Sequence, residues 1–225
     1  MGIVKDSPLL RSLFDGDVIA RVHCGTPLEN ALHPDEAKMV ATAVDVRRAH
    51  FTAGRLSARS ALEALGMSTG PLLSDAARAP IWPENVVGSI THTDSFCGAV
   101  VAPRTRYHGI GIDAELRARA GEEIWSQILT TTEFPWLLTL PVPSRSEMAT
   151  VIFCAKEAFY KCQYQVTGAW LGFEGAEVSV GERGFTLRLL DNVGSLVRGQ
   201  EFSGRFELLP SLVVAGIALA APEFP

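Results

Sequence analysis

The sequence predicts an α+β fold, and three features of its pattern carry that prediction. Helical periodicity covers residues 34–66 and returns over residues 144–165. After each helical stretch come short apolar runs bounded by turn residues, which are typical of strands. The chain has 225 residues, of which 47% are hydrophobic, so it is long enough to bury a sizeable core.

The N-terminal third is predicted to hold one or two strands followed by a long helical region. Short apolar runs such as DVIARV fall among turn residues in the first thirty positions. The helical region begins at His33, with two acids in its first turn, where the helix dipole favours them. It ends at Gly66, a residue type that often follows a helix, and Gly54 is the expected division between two helices.

The middle of the chain predicts three strands. Residues 71–83 form a loop, and then NVVGSITH and CGAVVAP are two strands joined by a TDS turn. YHGIGIDAE, a third strand, follows a basic turn at residues 104–106. A helix is predicted over residues 122–129, and EFPWLLTLPVPS, with its three prolines, is predicted to be an irregular loop.

The C-terminal part predicts one helix and four strands. The helix starts at Ser144, because Glu147 three residues later completes a capping box, and MATVIFCAKEAFYKCQYQ keeps the helical period. Antiparallel strands are predicted at AEVSV, FTLRLL, RFELLP and LVVAGIALA.

Charge and composition exclude several classes of protein. A formal net charge of −5 argues against a general nucleic-acid binder. The longest apolar stretch, LVVAGIALAA, is too short to cross a bilayer. Four cysteines without CxxC spacing argue against a zinc site and favour free thiols. We therefore expect a cytoplasmic protein that acts on neither nucleic acid nor membranes.

Two carboxylates end the third strand of the middle region. Because side chains alternate along a strand, Asp113 and Glu115 share one face, with Ala114 on the other. At about 7 Å and an effective dielectric near 20, the two charges repel by roughly 2 kcal/mol. Such a pair needs full solvation at a strand end, nearby cations or a bound metal, and an isolated D-x-E is more often solvated.

A third carboxylate lies in FCAKEAFYKC. On a helix, Glu157 and Lys161 are four residues apart and share a face, an arrangement that by itself indicates only a weak surface ion pair. With Lys156, however, they form three charges in an apolar setting. A third carboxylate near the first two would complete a hard oxygen site suited to Mg²⁺, with Mn²⁺ as the alternative.

These motifs together resemble those of the 4′-phosphopantetheinyl transferases. GIGIDAE and FCAKEAFYK, with Asp113 and Glu157 forty-four residues apart, are similar to the family's two signature segments. NVVGSITHTDSFCGAVVA is similar to the upstream motif that ends in a histidine, here His92. RRAHFTAGRLSARSALEALG resembles the arginine-bearing helix of the subgroup that includes the enterobactin-type siderophore enzymes and the mycobacterial enzymes.

The resemblance implies a fold and a reaction. It implies a monomer of two similarly folded α/β halves, a pseudo-dimer in which antiparallel sheets pack on helices. Residues 1–108 would form the N-terminal half, with the arginines and histidine that bind coenzyme A (CoA), and residues 109–225 the C-terminal half with the metal site. The enzyme would move the phosphopantetheine arm of CoA to a serine of an apo carrier protein and release 3′,5′-ADP.

The resemblance also implies roles for residues of the C-terminal half. Asp113, Glu115 and Glu157 would hold Mg²⁺, which neutralises charge on the attacked phosphoryl group. Glu157 would take the serine proton, directly or through a water on the metal. Lys161 and Lys156 would stabilise the pyrophosphate as point charges.

In the N-terminal half, His92 would contact a phosphate of CoA, and Arg47 and Arg55 align with the family's arginines for the 3′-phosphate. On an ideal helix Arg47 and Arg55 are about 80° apart, whereas Arg48 and Arg55 nearly coincide, so Arg48 stays a candidate. The family often has a lysine before its P-x-W-P turn. Here Arg78 lies nearby out of register and would serve as the nucleotide-end cation.

The carrier would be an acyl or peptidyl carrier protein of fatty-acid, polyketide or non-ribosomal peptide synthesis. Such carriers are usually acidic around their serine, so arginines flanking the D-x-E strand are expected to attract them; these are Arg104, Arg106, Arg117 and Arg119. The apolar segment 136–138 would contact a carrier helix, although burial in the core is the commoner outcome for such residues.

Two other functions stay open at this point. Another Mg²⁺-dependent enzyme acting on phosphates would use the same carboxylates, although the sequence has no G-x-x-x-x-G-K-[ST] loop. A non-catalytic module that binds CoA or a carrier would keep the fold, and loss of one of the three carboxylates would favour it. All three are present in this chain.

Overall fold

The structure is a computed structural model that describes residues 2–27 and 31–221. Within these ranges the strands are β1 (Ile3–Asp6), β2 (Ile19–Cys24), β3 (Val86–His92), β4 (Cys97–Pro103), β5 (Tyr107–Leu116), β6 (Ala176–Val180), β7 (Gly184–Leu189), β8 (Glu201–Leu208) and β9 (Leu212–Ala220). The helices are α1 (Pro8–Arg11), α2 (Pro34–Met39), α3 (Asp45–Ala64), α4 (Glu122–Ile128), α5 (Glu133–Thr139) and α6 (Val142–Thr167). A 3₁₀ turn spans Phe173–Gly175.

The strands form two antiparallel sheets, and one long helix packs on each sheet. The first sheet has the order β1-β2-β4-β3 and carries α3, and the second has the order β5-β9-β8-β7-β6 and carries α6. The buried side of α3 presents small residues, Ala58 and Ala61, which let the helix lie close to the sheet. The α+β class and the antiparallel sheets packed on helices are therefore confirmed.

Strand β5 joins the two halves because its two faces are built differently. Ile110 and Ile112 are fully buried in a core shared with β3 and β4 of the first sheet. Gly109 and Gly111 face α6, where a Cβ would overlap the backbone carbonyl oxygens of Cys162 and Ala158. The glycines of GIGID thus let α6 lie directly on the strand, next to the positions of Asp113 and Glu115.

Hydroxyl groups connect β3 and β5, which are the facing edges of the two sheets. Ser89 Oγ accepts a hydrogen bond from the Ile112 amide (3.1 Å), and Thr91 Oγ1 accepts one from the Ala114 amide (2.9 Å). Both side chains are buried. They satisfy amides that the sheet edge would otherwise bury unpaired, so the halves meet along a fixed seam.

The predicted helical region from His33 to Gly66 is two helices, but the division is not at Gly54. α2 ends at Met39 and α3 begins at Asp45, so Gly54 lies inside α3. A Cβ at Gly54 would approach a methyl group of Ile90 to 3.0 Å, so this glycine serves packing against β3. Gly66, with φ of +80°, follows the helix as predicted.

The prediction of an irregular loop at EFPWLLTLPVPS is wrong. The segment contains α5, and α6 starts at Val142 rather than at Ser144. Pro135 and Pro143 both lie in the first turn of a helix, where the missing amide hydrogen costs no helical bond. The prolines thus mark two helix starts. The other predicted strands and the helix over residues 122–129 are confirmed.

The predicted division into residues 1–108 and 109–225 stays a prediction, although the first sheet ends before β5 and the second begins with it. In the described ranges, no helix is both long and apolar enough to cross a membrane.

Candidate active site

A cavity of about 830 Å³ opens where the two halves meet. Its walls are one face of α3, the loop over residues 74–82, the end of β3 and one face of α6. The cations that line it come from both halves of the chain: Arg47, Arg55, Arg78, Arg104 and Lys161. This concentration of positive charge suits a ligand with several phosphates.

The α6 wall is a regular helical face. Its lining residues fall at spacings of three and four, which places them on one side of the helix: Glu157, Tyr160, Lys161, Tyr164, Gln165 and then Gly168 at the end of α6. Gln165 also ties this wall to the seam, since its side chain accepts from the Gly88 amide (3.0 Å) and donates to the Ile110 carbonyl (2.7 Å).

Asp113 lies beside Lys161, which lines the cavity, but does not line the cavity itself. Lys161 Nζ donates to Asp113 Oδ1 at 2.7 Å and to the Ile112 carbonyl at 3.2 Å, and Thr91 Oγ1 donates to the same carboxylate oxygen at 3.2 Å. Burial lowers the pKa of Lys161, but Asp113 and then Glu157 raise it above its usual value, so the ammonium stays charged. Asp113 Oδ2 is buried and has no hydrogen-bond partner among residues 2–27 and 31–221.

The other two carboxylates are close enough to interact with Asp113. Burial is the main reason that the pKa of Glu115 lies above its usual value, and the charges of Asp113 and Glu157 raise it further. Burial also raises the pKa of Glu157, with Asp113 adding to the effect and Lys161 opposing it. The three predicted metal ligands thus share one electrostatic environment, and Glu157 is the one that lines the cavity.

The carboxylates are not assembled as a complete metal cage. Over the described residues, no group of three or more His, Cys, Asp or Glu side chains is arranged to hold a metal ion. Mg²⁺ does not require such a cage, because it is usually bound through one or two carboxylates, waters and substrate phosphates. The orphaned Oδ2 of Asp113 is the kind of hard oxygen ligand that such an ion takes, so the donor set fits Mg²⁺.

His92 ends β3 at the cavity, as predicted. Arg47 Nη1 lies 3.2 Å from His92 Nε2, and the guanidinium can only donate, so Nε2 accepts and the ring is neutral. Burial, followed by the neighbouring His50, Arg47 and Lys161, lowers the pKa of His92 to about 4.

Arg55 is buried in the α3 wall. Its Nε donates to the Leu72 carbonyl at 2.7 Å, its Nη2 donates to Ser74 Oγ at 2.8 Å, and its guanidinium lies 4.3 Å from the centre of the Phe51 ring. Burial lowers the pKa of Arg55 to about 10, so it is charged at neutral pH. It both lines the cavity and anchors the start of the loop that forms the adjacent wall.

The other two predicted arginines differ in position. Arg48 does not line the cavity: it donates to the Ala43 carbonyl at 2.9 Å and pairs with Asp45 at 3.6 Å. The width of the cavity admits both Arg47 and Arg55 despite their angular separation. Arg78 lines the cavity on the opposite loop, exposed, with φ of +67°.

The structure does not bring Lys156 to the cavity, which corrects its expected contact with pyrophosphate. Its Nζ donates to Glu133 Oε2 at 2.7 Å and to the carbonyls of Ile128 and Phe173, both at 2.8 Å. All three N–H groups are therefore used inside the C-terminal half. Burial lowers the pKa of Lys156, and the Glu133 charge opposes that effect.

The four arginines expected to attract a carrier do not form one patch. Ten residues of β5 separate Arg106 from Arg117, which is about 36 Å along a strand. Arg104 lines the cavity and donates to the carbonyls of Glu84 and Val86, and Arg117 pairs with Glu147. Of the apolar segment 136–138, Leu137 is core, Trp136 is half-buried and only Leu138 is well exposed.

Several lining residues were missed at the sequence level. Tyr160, Tyr164 and Gln165 follow Glu157 by three, seven and eight positions, and His50 follows Arg47 by three. Extending the helical spacing outward from the motif residues would have found all four. No comparable signal in the sequence places Arg104 at the cavity, because its position depends on how the two sheets meet.

Comparison with known proteins identifies the family. Residues 35–102 match the model of the 4′-phosphopantetheinyl transferase N-terminal domain, and residues 109–206 match that of the 4′-phosphopantetheinyl transferase superfamily. The chain belongs to the 4′-phosphopantetheinyl transferase superfamily of enzymes.

Individual relatives agree with this assignment. The chain is 39% identical over 197 residues to the 4′-phosphopantetheinyl transferase Svp of Streptomyces mobaraensis, covering 85% of this chain and 80% of Svp. It is 32% identical over 229 residues to PptT of Mycobacterium tuberculosis, covering 97% and 99% of the two chains. Enterobactin synthase component D of Salmonella typhimurium is 32% identical over 133 residues, which cover 59% of this chain and 55% of that protein.

Among solved structures, a holo-(acyl-carrier-protein) synthase from Bacillus anthracis in complex with CoA (3′,5′-ADP) covers 52% of this chain and 98% of its own. The TM-score is 0.38 and the identity 23%, a similarity too low to support an inference.

Proposed function

We propose that this protein transfers the phosphopantetheine arm of CoA to a serine of an apo carrier protein and releases 3′,5′-ADP. Family membership supports the reaction, since three relatives, matched over 85%, 68% and 97% of this chain, are named for it. The observation that carries the assignment to a site is the cavity between the halves, where cations line the walls and Glu157 lies close enough to Asp113 and Glu115 for their charges to interact.

Different side chains of the cavity are proposed to bind different phosphates of CoA. Arg47, Arg55 and Arg78 line the part formed by α3 and the 74–82 loop, which suits the 3′-phosphate and nucleotide end. Lys161, which pairs with Asp113, lies nearer the carboxylates, which suits the pyrophosphate, and the neutral His92 ring lies close to Lys161 as well as to Arg47. Within the described part of the chain, Lys161 has two protein acceptors for its three N–H groups, so one donor is available to a phosphate oxygen.

Asp113, Glu115 and Glu157 are the residues proposed to hold Mg²⁺, with Mn²⁺ as the alternative. When bound, the ion neutralises charge on the pyrophosphate and on the attacked phosphoryl group. The orphaned, buried Oδ2 of Asp113 and the mutual influence of the three carboxylates on their pKa values support this assignment.

Glu157 is the proposed acceptor of the serine proton, because it is the one carboxylate of the three that lines the cavity. The serine oxygen forms a bond to the phosphorus that carries pantetheine, and the bond from that phosphorus to the bridging oxygen of CoA breaks. The serine proton passes to Glu157, and 3′,5′-ADP leaves with the electron pair of the broken bond. Lys161 stabilises the charge that develops on the pyrophosphate oxygens.

The proposed partners are acyl or peptidyl carrier proteins of fatty-acid, polyketide or non-ribosomal peptide synthesis, and the proposed state is a monomer in the cytoplasm. A carrier must deliver its serine to Glu157 in the cavity, and Arg104, which also lines the cavity, adds positive charge that an acidic carrier surface complements.

The test is the intact mass of a panel of apo carrier proteins after incubation with this protein, CoA and Mg²⁺, with a parallel sample in EDTA. We expect one carrier or more to gain one phosphopantetheine unit, and the gain to be lost in EDTA. CoA binding by calorimetry without any mass gain would favour a non-catalytic module. Neither binding nor mass gain would contradict the proposed function.

A further inference from the structure

His50 lies in the CoA cavity beside two residues of the proposed phosphate site. Arg47, His50, Phe51, Gly54 and Arg55 fall at offsets of zero, three, four, seven and eight along α3, so they share one face. All five line the cavity. His50 is therefore placed by the same helical geometry that places the two arginines.

The His50 ring stacks on the His92 ring. The ring centroids are 4.9 Å apart and the planes differ by 28°. Arg47 Nη1 holds the Nε2 of the same His92 ring at 3.2 Å. His92 is thus restrained by two residues of α3, one through its ring face and one through its ring nitrogen.

A bound phosphate would break the Arg47 contact with His92 but not the His50 contact. A phosphate oxygen is a better acceptor for a guanidinium than a neutral imidazole, so a bound phosphate draws Arg47 away from His92. The stacking contact with His50 involves no hydrogen-bonding group and persists. Once Nε2 no longer accepts from Arg47, the neutral ring can carry its proton on that nitrogen, so that Nε2–H donates to the phosphate while the ring plane is still fixed.

We infer that His50 is a positioning residue that holds the His92 ring in place for a phosphate of CoA. The inference rests on the proposed function of the cavity. It assigns His50 no contact with the reacting atoms: its effect passes through His92. Loss of the stacking ring lets His92 rotate, which costs binding of the phosphate but leaves the carboxylates and Lys161 unchanged.

The test compares His50→Ala with His50→Phe, which keeps a stacking ring but has no ring nitrogen. We expect His50→Ala to raise KM for CoA about tenfold with kcat within twofold of wild type, and His50→Phe to restore most of the loss. Calorimetric titration with 3′,5′-ADP should show the same order without any catalytic step. His108→Ala is the matched control, because His108 is exposed and does not line this cavity.

Two results would overturn the inference. Unchanged KM and 3′,5′-ADP affinity in His50→Ala would show that the stacking is incidental. Equal losses in His50→Ala and His50→Phe, with thermal stability retained, would show that the imidazole nitrogens of His50 act directly. The wild-type protein distinguishes failure of this inference from failure of the proposed function. If wild type binds CoA and transfers normally and His50→Ala behaves like it, only this inference fails. If wild type neither binds CoA nor transfers, the proposed function fails.

Discussion

Lys156 and Lys161 lie five residues apart on α6, and each pairs with a buried carboxylate at 2.7 Å. Five residues turn an α-helix by about 140° beyond a full turn, so the two side chains leave the helix in different directions. Lys156 enters an interior network with Glu133, and Lys161 reaches the cavity beside Asp113. The exposed fraction of the side chain is 3% for Lys156 and 28% for Lys161.

Hydrogen-bond capacity, and not charge, separates Lys161, which we propose binds a phosphate, from the structural Lys156. Each of the three N–H groups of Lys156 donates to a protein acceptor. One of these acceptors, Glu133, also accepts from the amides of Thr130 and Val178. Among the residues that the structure describes, Lys161 has acceptors for two of its three N–H groups, and Asp113 beside it has an oxygen without a partner. The first pair is closed to a ligand and the second is open to one.

The largest expected effect separates Glu157, which lines the cavity beside Lys161, from Glu133, which pairs with Lys156 in the interior. Glu157→Gln removes the proposed proton acceptor and should lower kcat for transfer by about 10³-fold, within the range for a general base. Glu133→Gln, on the interior side, should leave kcat within a few-fold. Single-turnover transfer followed by intact mass measures both. Comparable activity in Glu157→Gln and wild type would remove Glu157 from this role.

The interior pair should act on stability. Lys156→Met leaves the Glu133 carboxylate buried without its cation and should lower the free energy of unfolding by about 3–5 kcal/mol. The double variant Lys156→Met with Glu133→Gln should recover part of that loss. Urea unfolding of the single and double variants measures the effect, and a specific loss of CoA binding in a stable Lys156→Met protein would contradict the placement of Lys156.

The cavity lysine should act on transfer. Lys161→Met removes the cation proposed for the pyrophosphate and should lower kcat/KM for CoA by about 10²-fold, or roughly 2.7 kcal/mol. Lys161→Arg keeps the charge and should retain more activity. Steady-state kinetics with varied CoA gives the comparison, and equal kcat/KM in Lys161→Met and wild type would show that the leftover N–H group is not used.

The smallest expected effect is a pH dependence of stability at His92. Its pKa in the folded protein is about 4, below the usual 6.5, so the unfolded chain takes up the proton first as the pH falls. His92 therefore lowers stability progressively between about pH 6.5 and pH 4. Relative to His92→Gln, wild type should lose Tm between pH 7.5 and pH 5. A Tm difference independent of pH would show that His92 is not buried in its neutral form.

The sequence predicts most of this fold because its signals are local. Strand alternation places Asp113 and Glu115 on one face, helical spacing places Glu157 with Lys161, and Gly66 follows its helix. What it does not predict depends on contacts between distant segments. Gly54 allows α3 to pack against Ile90. Glu133, which pairs with Lys156, lies on α5, a helix whose prolines led to the prediction of a loop.

A crystal structure of the protein with CoA and Mg²⁺ tests the central claim most directly, since it locates the phosphates relative to the two lysines. We expect phosphate oxygens within hydrogen-bond distance of Lys161 and Arg47, a cation on Asp113 Oδ2, and the Lys156–Glu133 network unchanged. CoA bound outside this cavity, or phosphates contacting Lys156 after it leaves Glu133, would contradict the account.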